Sequence, residues 1–393
     1  MKKFPTIGEY NQAIQKRGSL VFRANNGITL IPSRLSPIKI YLFGSGAYAV
    51  VFKGSKYGKT FALRCFLNTG QETMDRYKMI CNYLQNINSS WITPSEFLDN
   101  EIEINGNLYP VLKMEWVDGL LINDFVTRHI SEKSVLTELQ KQLVKISHDL
   151  EENQIGHGDL QCGNIIVTGS STNFKIRLID YDGMFAPNLV NQKSLENGRS
   201  EFQHPDRTAY DFHPRIDRFS IWVIITALEA LKFDITLWHE LMQGGFNTLD
   251  NFLFTVEDFK NPNNSKLFNR LLQLRKSSLD FYVDKLSTFC RSDINSTTAP
   301  ELQPTTLLDN SPSSHITYTP NFNTTRSDAN KNYQIITNEA AFVLTSTFKK
   351  IGSTPLELDK SIYHGKTIVV SNGKKTKQIL LNSERSLIEL TFT

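Results

Sequence analysis

The sequence predicts an α+β fold of two lobes, the first rich in strands and the second helical, followed by a small C-terminal all-β domain. Three observations predict it. Apolar and polar residues alternate through residues 42–67 around a glycine-rich turn, which is the period of strands. Leu136, Leu139, Leu143, Ile146 and Leu150 recur at steps of three and four residues, which places them on one helical face. Near the C-terminus, short apolar runs follow a long polar stretch.

In the first lobe, Val50, Val51 and Phe52 precede a turn and the pattern resumes at Phe61 and Leu63, a hairpin running into a third strand. Residues 71–87 read as a helix, and residues 101–114 return to strands about the turn Asn105-Gly106-Asn107. The helical lobe begins near Ser131, where the cap is ambiguous, and continues through an apolar helix over 216–231 and further helices over 237–289. Between 291 and 330 Ser, Thr, Asn and Pro dominate, so too little apolar area is available to offset ordering entropy and a flexible linker is expected. Past it, residues 341–347, 367–371, 379–381 and 387–392 read as strands, with Ser371-Asn372-Gly373 as a turn. An immunoglobulin-like sandwich and another small barrel both fit that module. The expected organisation is an N-terminal extension (1–40), the two-lobed domain (41–290), the linker (291–330) and the β module (331–393).

A chain of 393 residues is long enough for two compact units. Its 43 basic and 40 acidic residues are interspersed and leave a net charge of +3, which makes no case for nucleic acid or an anionic membrane as partner. Cys65, Cys81, Cys162 and Cys290 lie far apart, so neither a disulfide framework nor a zinc ribbon is expected. Lys2 and Lys3 are followed by polar residues and Glu9, and no apolar run reaches roughly 18 residues, so neither secretion nor membrane spanning is expected. The expected location is a reducing cytoplasm. His204 and His213 have no third ligand nearby in sequence, and zinc is rejected.

Chemistry concentrates in His157-Gly158-Asp159-Leu160-Gln161-Cys162-Gly163-Asn164, followed by Leu178-Ile179-Asp180-Tyr181-Asp182-Gly183. This block resembles the kinase catalytic loop H-x-D-x-x-x-x-N and its downstream metal-binding Asp. Phosphoryl transfer needs a carboxylate for the proton of the attacking hydroxyl, and an amide oxygen with a second carboxylate to hold magnesium against the phosphates. Asp159 takes the role of base, and Asn164 and Asp180 those of metal ligands. Asp182 competes with Asp180; Asp180 is favoured because it directly follows the apolar strand Arg177-Leu178-Ile179. The plain alternative is a turn-rich loop between two buried strands.

Upstream, Gly44-Ser45-Gly46-Ala47-Tyr48-Ala49-Val50-Val51 resembles the G-x-G-x-x-G-x-V loop over ATP phosphates, with Ala49 in place of the third glycine. Phe61-Ala62-Leu63-Arg64 occupies the place of V-A-I-K, so Arg64 stands where a lysine is expected. Arginine keeps the charge and forks phosphate oxygens, but it is longer and planar. No helix glutamate is obvious to pair with it, Glu72 and Asp75 being the nearest acids. Lys113-Met114-Glu115-Trp116-Val117-Asp118-Gly119 resembles a kinase hinge, which implies adenine bound by backbone groups near Glu115 to Val117 and covered by Ala62 and Val51. Gln203-His204-Pro205 and then Ile216-Asp217-Arg218-Phe219-Ser220 resemble the end of an activation segment and the helix opening D-x-W-S, which implies that Asp217 anchors the catalytic-loop backbone; taken alone, D-x-F-S is a helix cap.

Taken together, residues 42–289 resemble the protein-kinase-like superfamily, and the wording of Ala62-Leu63-Arg64-Cys65-Phe66, Lys113-Met114-Glu115-Trp116-Val117 and Asp180-Tyr181-Asp182-Gly183-Met184 is similar to a divergent bacterial group of it, in which arginine at the lysine position is usual. The resemblance implies a bilobal protein-kinase-like fold, ATP and Mg2+ as cofactors, and a Ser/Thr protein kinase acting on itself or a partner protein. Gly44, Ser45, Gly46, Val51, Ala62, Arg64, Glu115 and Val117 would hold the nucleotide. A nucleotide-binding pseudokinase serving as a scaffold, and a small-molecule kinase of the aminoglycoside or choline type, which also carries H-G-D-L, are the alternatives.

Overall fold

The computed structural model describes residues 3–23, 27–33, 40–46, 48–67, 70–243 and 251–303, and, further on, 332–337, 342–345, 350–353, 356–359, 367–371, 376–381 and 387–391. The chain divides into two compact units, Met1–Thr306 and Leu307–Thr393.

The first lobe is built on an antiparallel sheet. Its strands are β1 (Thr29–Ile31), β2 (Leu42–Ser45), β3 (Ala49–Lys56), β4 (Lys59–Phe66), β5 (Ser95–Ile104) and β6 (Asn107–Glu115), in the order β1-β3-β4-β6-β5 with β2 also paired to β3. Two tight turns set its register. Tyr57 and Gly58 join β3 to β4, and Asn105 and Gly106 join β5 to β6; all four have positive φ, the geometry that matches the twist of adjoining strands. Strand alternation sends Val50, Phe52, Leu63 and Cys65 into a core with Tyr10 and Ile14. Val51, Lys53, Ala62 and Arg64 take the opposite face, in the cross-strand pairs Val51–Arg64 and Lys53–Ala62.

Tyr10 and Ile14 belong to helix α1 (Ile7–Arg17), whose start is set by a capping box: Glu9 N–H donates to Thr6 Oγ1 and Thr6 N–H to the Glu9 carboxylate. Tyr10 donates its hydroxyl hydrogen to Phe66 O at 3.0 Å. Residues expected as an extension thus supply both a core helix and strand β1 of this lobe. Helix α2 (Gln71–Leu84) buries Tyr77, Ile80, Cys81 and Leu84 in the larger core shared with the helical lobe.

The second lobe contains β7 (Leu120–Leu121), α3 (Ile122–His129), α4 (Lys133–Glu152), β8 (Ile165–Ser170), β9 (Asn173–Leu178), α5 (Arg218–Leu231), α6 (Thr236–Gln243), α7 (Val256–Lys260), α8 (Lys266–Gln273) and α9 (Ser277–Phe289). The stripe Leu136, Leu139, Leu143, Ile146 and Leu150 of α4 is buried. Helix α5 is buried from Phe219 to Leu231 and packs against α4, α6 and α9. A small sheet, β7-β8-β9, carries the chemical loops at its edge.

Residues 291–303 differ from the flexible linker expected there. Trp222 Nε1 donates to Thr298 O at 3.0 Å, Arg218 Nη1 to Thr297 O at 2.9 Å, and Gln303 N–H to the Tyr282 hydroxyl at 3.0 Å. Polar composition hides this, because the segment is held by its backbone carbonyls and amides, joined by Leu302 packed against the core. The remainder of that expected linker, 304–330, lies outside the described residues, as do Ala47 and the turn residues Asn372 and Gly373.

In the C-terminal unit the strands are β10 (Asn332–Thr337), β11 (Phe342–Thr345), β12 (Lys350–Ser353), β13 (Leu356–Asp359), β14 (Thr367–Ser371), β15 (Thr376–Leu380) and β16 (Leu387–Leu390). They form two sheets, β13-β10-β16 and β12-β11-β14-β15, with β10 parallel to β16. Ile335, Val343, Leu358, Ile368, Val370 and Leu381 are its buried core. Strands β10, β12 and β13 were not among those legible in the sequence.

Candidate functional site

Helix α4 ends at Glu152, and the chain turns through Ile155 into the loop that carries Asp159. Gly156 exchanges backbone hydrogen bonds with Phe185 in both directions, at 3.2 and 2.7 Å. Gly158 has φ +80°, and a Cβ there would lie 2.3 Å from Gly183 O. Only glycine permits this approach, so the two chemical loops touch backbone to backbone. That contact is a requirement the sequence does not announce.

Asp217 tightens the same loop from behind. It is 3% exposed and accepts the N–H groups of His157 and, at 2.8 Å, Gly158. It occupies the N-cap position of α5 without capping that helix, so its carboxylate serves the loop instead. Burial raises its pKa, opposed by His157, the two amides and Arg207. His157 Nε2 meets Ile179 O at 3.0 Å, which joins this loop to the end of β9.

Asp159 and Asn164 are coupled. Asn164 Nδ2 donates to Asp159 O at 2.8 Å and to Asp159 Oδ2 at 2.9 Å, while Arg199 N–H donates to Asp159 Oδ1 at 2.8 Å. With its nitrogen committed, Asn164 keeps its amide oxygen for another partner. The Arg199 amide was not foreseen, because a main-chain donor leaves no mark on residue type.

Asp180 follows β9 with φ +64°, a left-handed conformation that Asp tolerates better than most residues. Its side chain is 44% exposed, against 15% for Asp182 and 13% for Arg64. Arg64 Nη1 donates to Asp180 Oδ1 and Asp182 Oδ1, each at 2.7 Å, and Nη2 donates to Asp182 Oδ2. Burial alone would lower the Arg64 pKa, but Asp182 and then Asp180 outweigh it and hold the guanidinium above its ordinary value. Neither helix acid reaches Arg64: Glu72 pairs with Arg76, and Asp75 accepts from Gln71. Helix α2 offers the ring of Tyr77 instead, 5.4 Å from Arg64 Cζ.

Glu196 was missed in the sequence, where it sits in an unpatterned polar stretch. Burial and the charges of Asp182, Asp180 and Asp159 push its pKa up to about 7, with Arg64 opposing.

The glycine-rich strand lies beside Arg64, with Gly44, Val51 and Arg64 in one cross-strand row. Ser45 pairs with Val50, and Gly46 N–H donates to Ala49 O at 2.9 Å. A Cβ at Gly44 or Gly46 would meet nothing within 4 Å, so neither glycine is demanded by packing within the protein. At the hinge, the N–H groups of Glu115 and Trp116 are taken by Pro94 O and Thr60 O, both at 2.9 Å. Val117, half-buried and outside any strand, follows them. Phe43 of β2 meets Trp116 edge to face at 5.4 Å, and Lys53 Nζ sits 4.0 Å from the Trp116 ring. A cavity of about 640 Å3 near the hinge is lined by Thr60, Phe61, Pro94, Lys113, Glu115 and Trp116 among others; of the expected nucleotide residues it includes only Glu115.

Among the described residues no group of three His, Cys, Asp or Glu side chains is arranged to hold a metal, and no helix is long and apolar enough to cross a membrane. No family model matches the chain, and no curated protein matches it. Solved structures do match it, among them the kinase domain of Mycobacterium tuberculosis PknI, 16% identical, covering 54% of this chain and 77% of that one at a TM-score of 0.37. That likeness carries no part of the functional reading, which rests on this chain's own side chains.

Proposed function

We propose that the chain is an ATP- and Mg2+-dependent phosphotransferase, a Ser/Thr protein kinase that transfers the γ-phosphoryl group to itself or to a partner protein. The observation that carries this reading is the meeting of Arg64, from the sheet lobe, with Asp180, at the end of β9 in the helical lobe, at 2.7 Å. A strand-borne cation beside a half-exposed carboxylate is a pairing suited to a phosphate and its counter-ion.

The donor set fits that group. Asn164 retains its amide oxygen and Asp180 its Oδ2, both hard oxygen donors, and magnesium binds proteins through one or two such groups plus phosphate oxygens. The open space over Gly44 and Gly46 leaves backbone free to approach phosphates, and Val51 and Ala62 share the face of Arg64. Bound Mg-ATP supplies the transferable phosphoryl group with its charge neutralised. Arg64 holds phosphate oxygens. Asp159, fixed by Asn164 and the Arg199 amide, orients the acceptor hydroxyl and takes its proton through a remaining lone pair. Asp217 keeps the loop under Asp159 in place.

A second reading, nucleotide binding without transfer, is favoured by one observation: Arg64 replaces the expected lysine and already engages two carboxylates. Incubating the purified chain and its Asp159→Asn variant with γ-labelled ATP and magnesium separates the two. Label entering protein with the parent alone is the expected result. ATP binding without label in protein, and with no label on added aminoglycoside or choline, overturns the kinase reading in favour of the second.

A further inference from the structure

We infer that Asp182 is the positioning residue for Arg64, doing from the loop after β9 what a carboxylate on helix α2 would otherwise do, so that one edge of the guanidinium is aimed at nucleotide phosphates. The inference rests on the proposed ATP site and assigns a role within it to the carboxylate that engages Arg64 with both oxygens.

The geometry separates the two aspartates. Asp182 meets Arg64 fork to fork, Oδ1 on Nη1 and Oδ2 on Nη2, so both of its oxygens are engaged. Asp180 gives Arg64 only Oδ1, stands more exposed, and keeps Oδ2. Asp182 is therefore the holder and Asp180 the ligand. A bidentate contact fixes the plane of the guanidinium as well as its distance, which a single bond does not.

The same contacts decide which part of Arg64 is left. Both hydrogens of Nη1 and one of Nη2 are used by the two aspartates. The N–H of Nε and the second N–H of Nη2 remain. They lie along one side of the planar group and point the same way, the arrangement that binds two oxygens of one phosphate. Tyr77 backs the guanidinium, and the row Gly44–Val51–Arg64 sets it beside the glycine-rich strand. A lysine ammonium in this position could bridge both aspartates with its three donors but presents no planar two-donor edge. The arginine and the displaced aspartate thus form one device, and Glu72, occupied by Arg76, is outside it.

The test is titration of the full-length chain with ATP and, separately, with adenosine, for the parent, Asp182→Asn, Arg64→Gln and the double variant. Losing a charge-assisted bidentate partner should weaken ATP binding about 10- to 100-fold. Adenosine affinity, which owes nothing to Arg64, should stay within about twofold, and Asp182→Asn should add less than about twofold on top of Arg64→Gln. Asp182→Ser repeats the comparison with a smaller side chain, and Glu72→Gln should bind ATP as the parent does. ATP binding by Asp182→Asn equal to that of the parent, or an equal loss with and without Arg64, overturns the inference and leaves the ATP site standing. A parent that binds no ATP overturns the site itself and the inference with it.

Discussion

Asp217 accepts the main-chain N–H groups of both His157 and Gly158, and through them fixes the loop on which Asp159 sits. Because the carboxylate is buried, removing it leaves two amide donors without partners in a dry place. Asp217→Ala should cost about 2–6 kcal/mol, from roughly 1–3 kcal/mol for each of the two orphaned donors, and Asp217→Asn less, since one acceptor oxygen survives. Urea unfolding measures this; an Asp217→Ala midpoint equal to that of the parent would show that the loop does not depend on it.

Asp180→Ala should lower ATP affinity at least about tenfold when magnesium is present and have a smaller effect in EDTA, because in the proposed site the carboxylate would act on the cation rather than on the nucleotide. Calorimetric titration in both conditions checks it. Equal losses with and without magnesium would remove Asp180 from the metal role.

Glu196 makes stability depend on pH in a particular direction. Its folded pKa, about 7, lies above its ordinary 4.5, so the folded chain binds the proton more tightly than the unfolded one. The resulting stability is full below the unfolded value and is lost as pH rises through the folded one. Glu196→Gln, which is always neutral, should therefore raise Tm at about pH 8 and change it little at about pH 4 in the absence of nucleotide. The same Tm difference at both pH values would contradict the assignment.

Truncation addresses the segment after α9. A chain ending at Cys290 should be less stable than one ending at Thr306 by about 2 kcal/mol or more, because buried Trp222 Nε1 loses its acceptor, Thr298 O, and Arg218 loses Thr297 O. Thermal unfolding of the two chains decides it. Equal Tm values would mean that residues 291–303 only rest on the lobe.

Much of the secondary structure was legible because its signals are local. The alternation through 42–67, the Asn-Gly turn at 105–106 and the stripe from Leu136 to Leu150 each report a period that backbone geometry imposes, and they became β3 with β4, the β5–β6 turn and α4. The candidate site was legible only as residue types at fixed spacings, Asp159, Asn164 and Asp180, of which the structure brings Asn164 onto Asp159. Strands β10, β12 and β13 were not legible, because polar residues open or interrupt them, Asn332 and Gln334, Lys350 and Ser353, Glu357 and Asp359, and leave no apolar run longer than two residues.

What the sequence by itself determined was therefore the order of elements and the inventory of charged groups near the chemistry: Arg64 without a lysine, two aspartates where one was expected, and no helix glutamate at the usual place. What only the tertiary structure decided was who pairs with whom. That Arg64 reaches Asp182 across the lobes, that Asp217 turns from its own helix to the His157 loop, and that the Arg199 amide meets Asp159 are consequences of distant segments being packed together. Charge and hydrogen-bond pairing depend on distance and direction in space, and residue order alone carries neither.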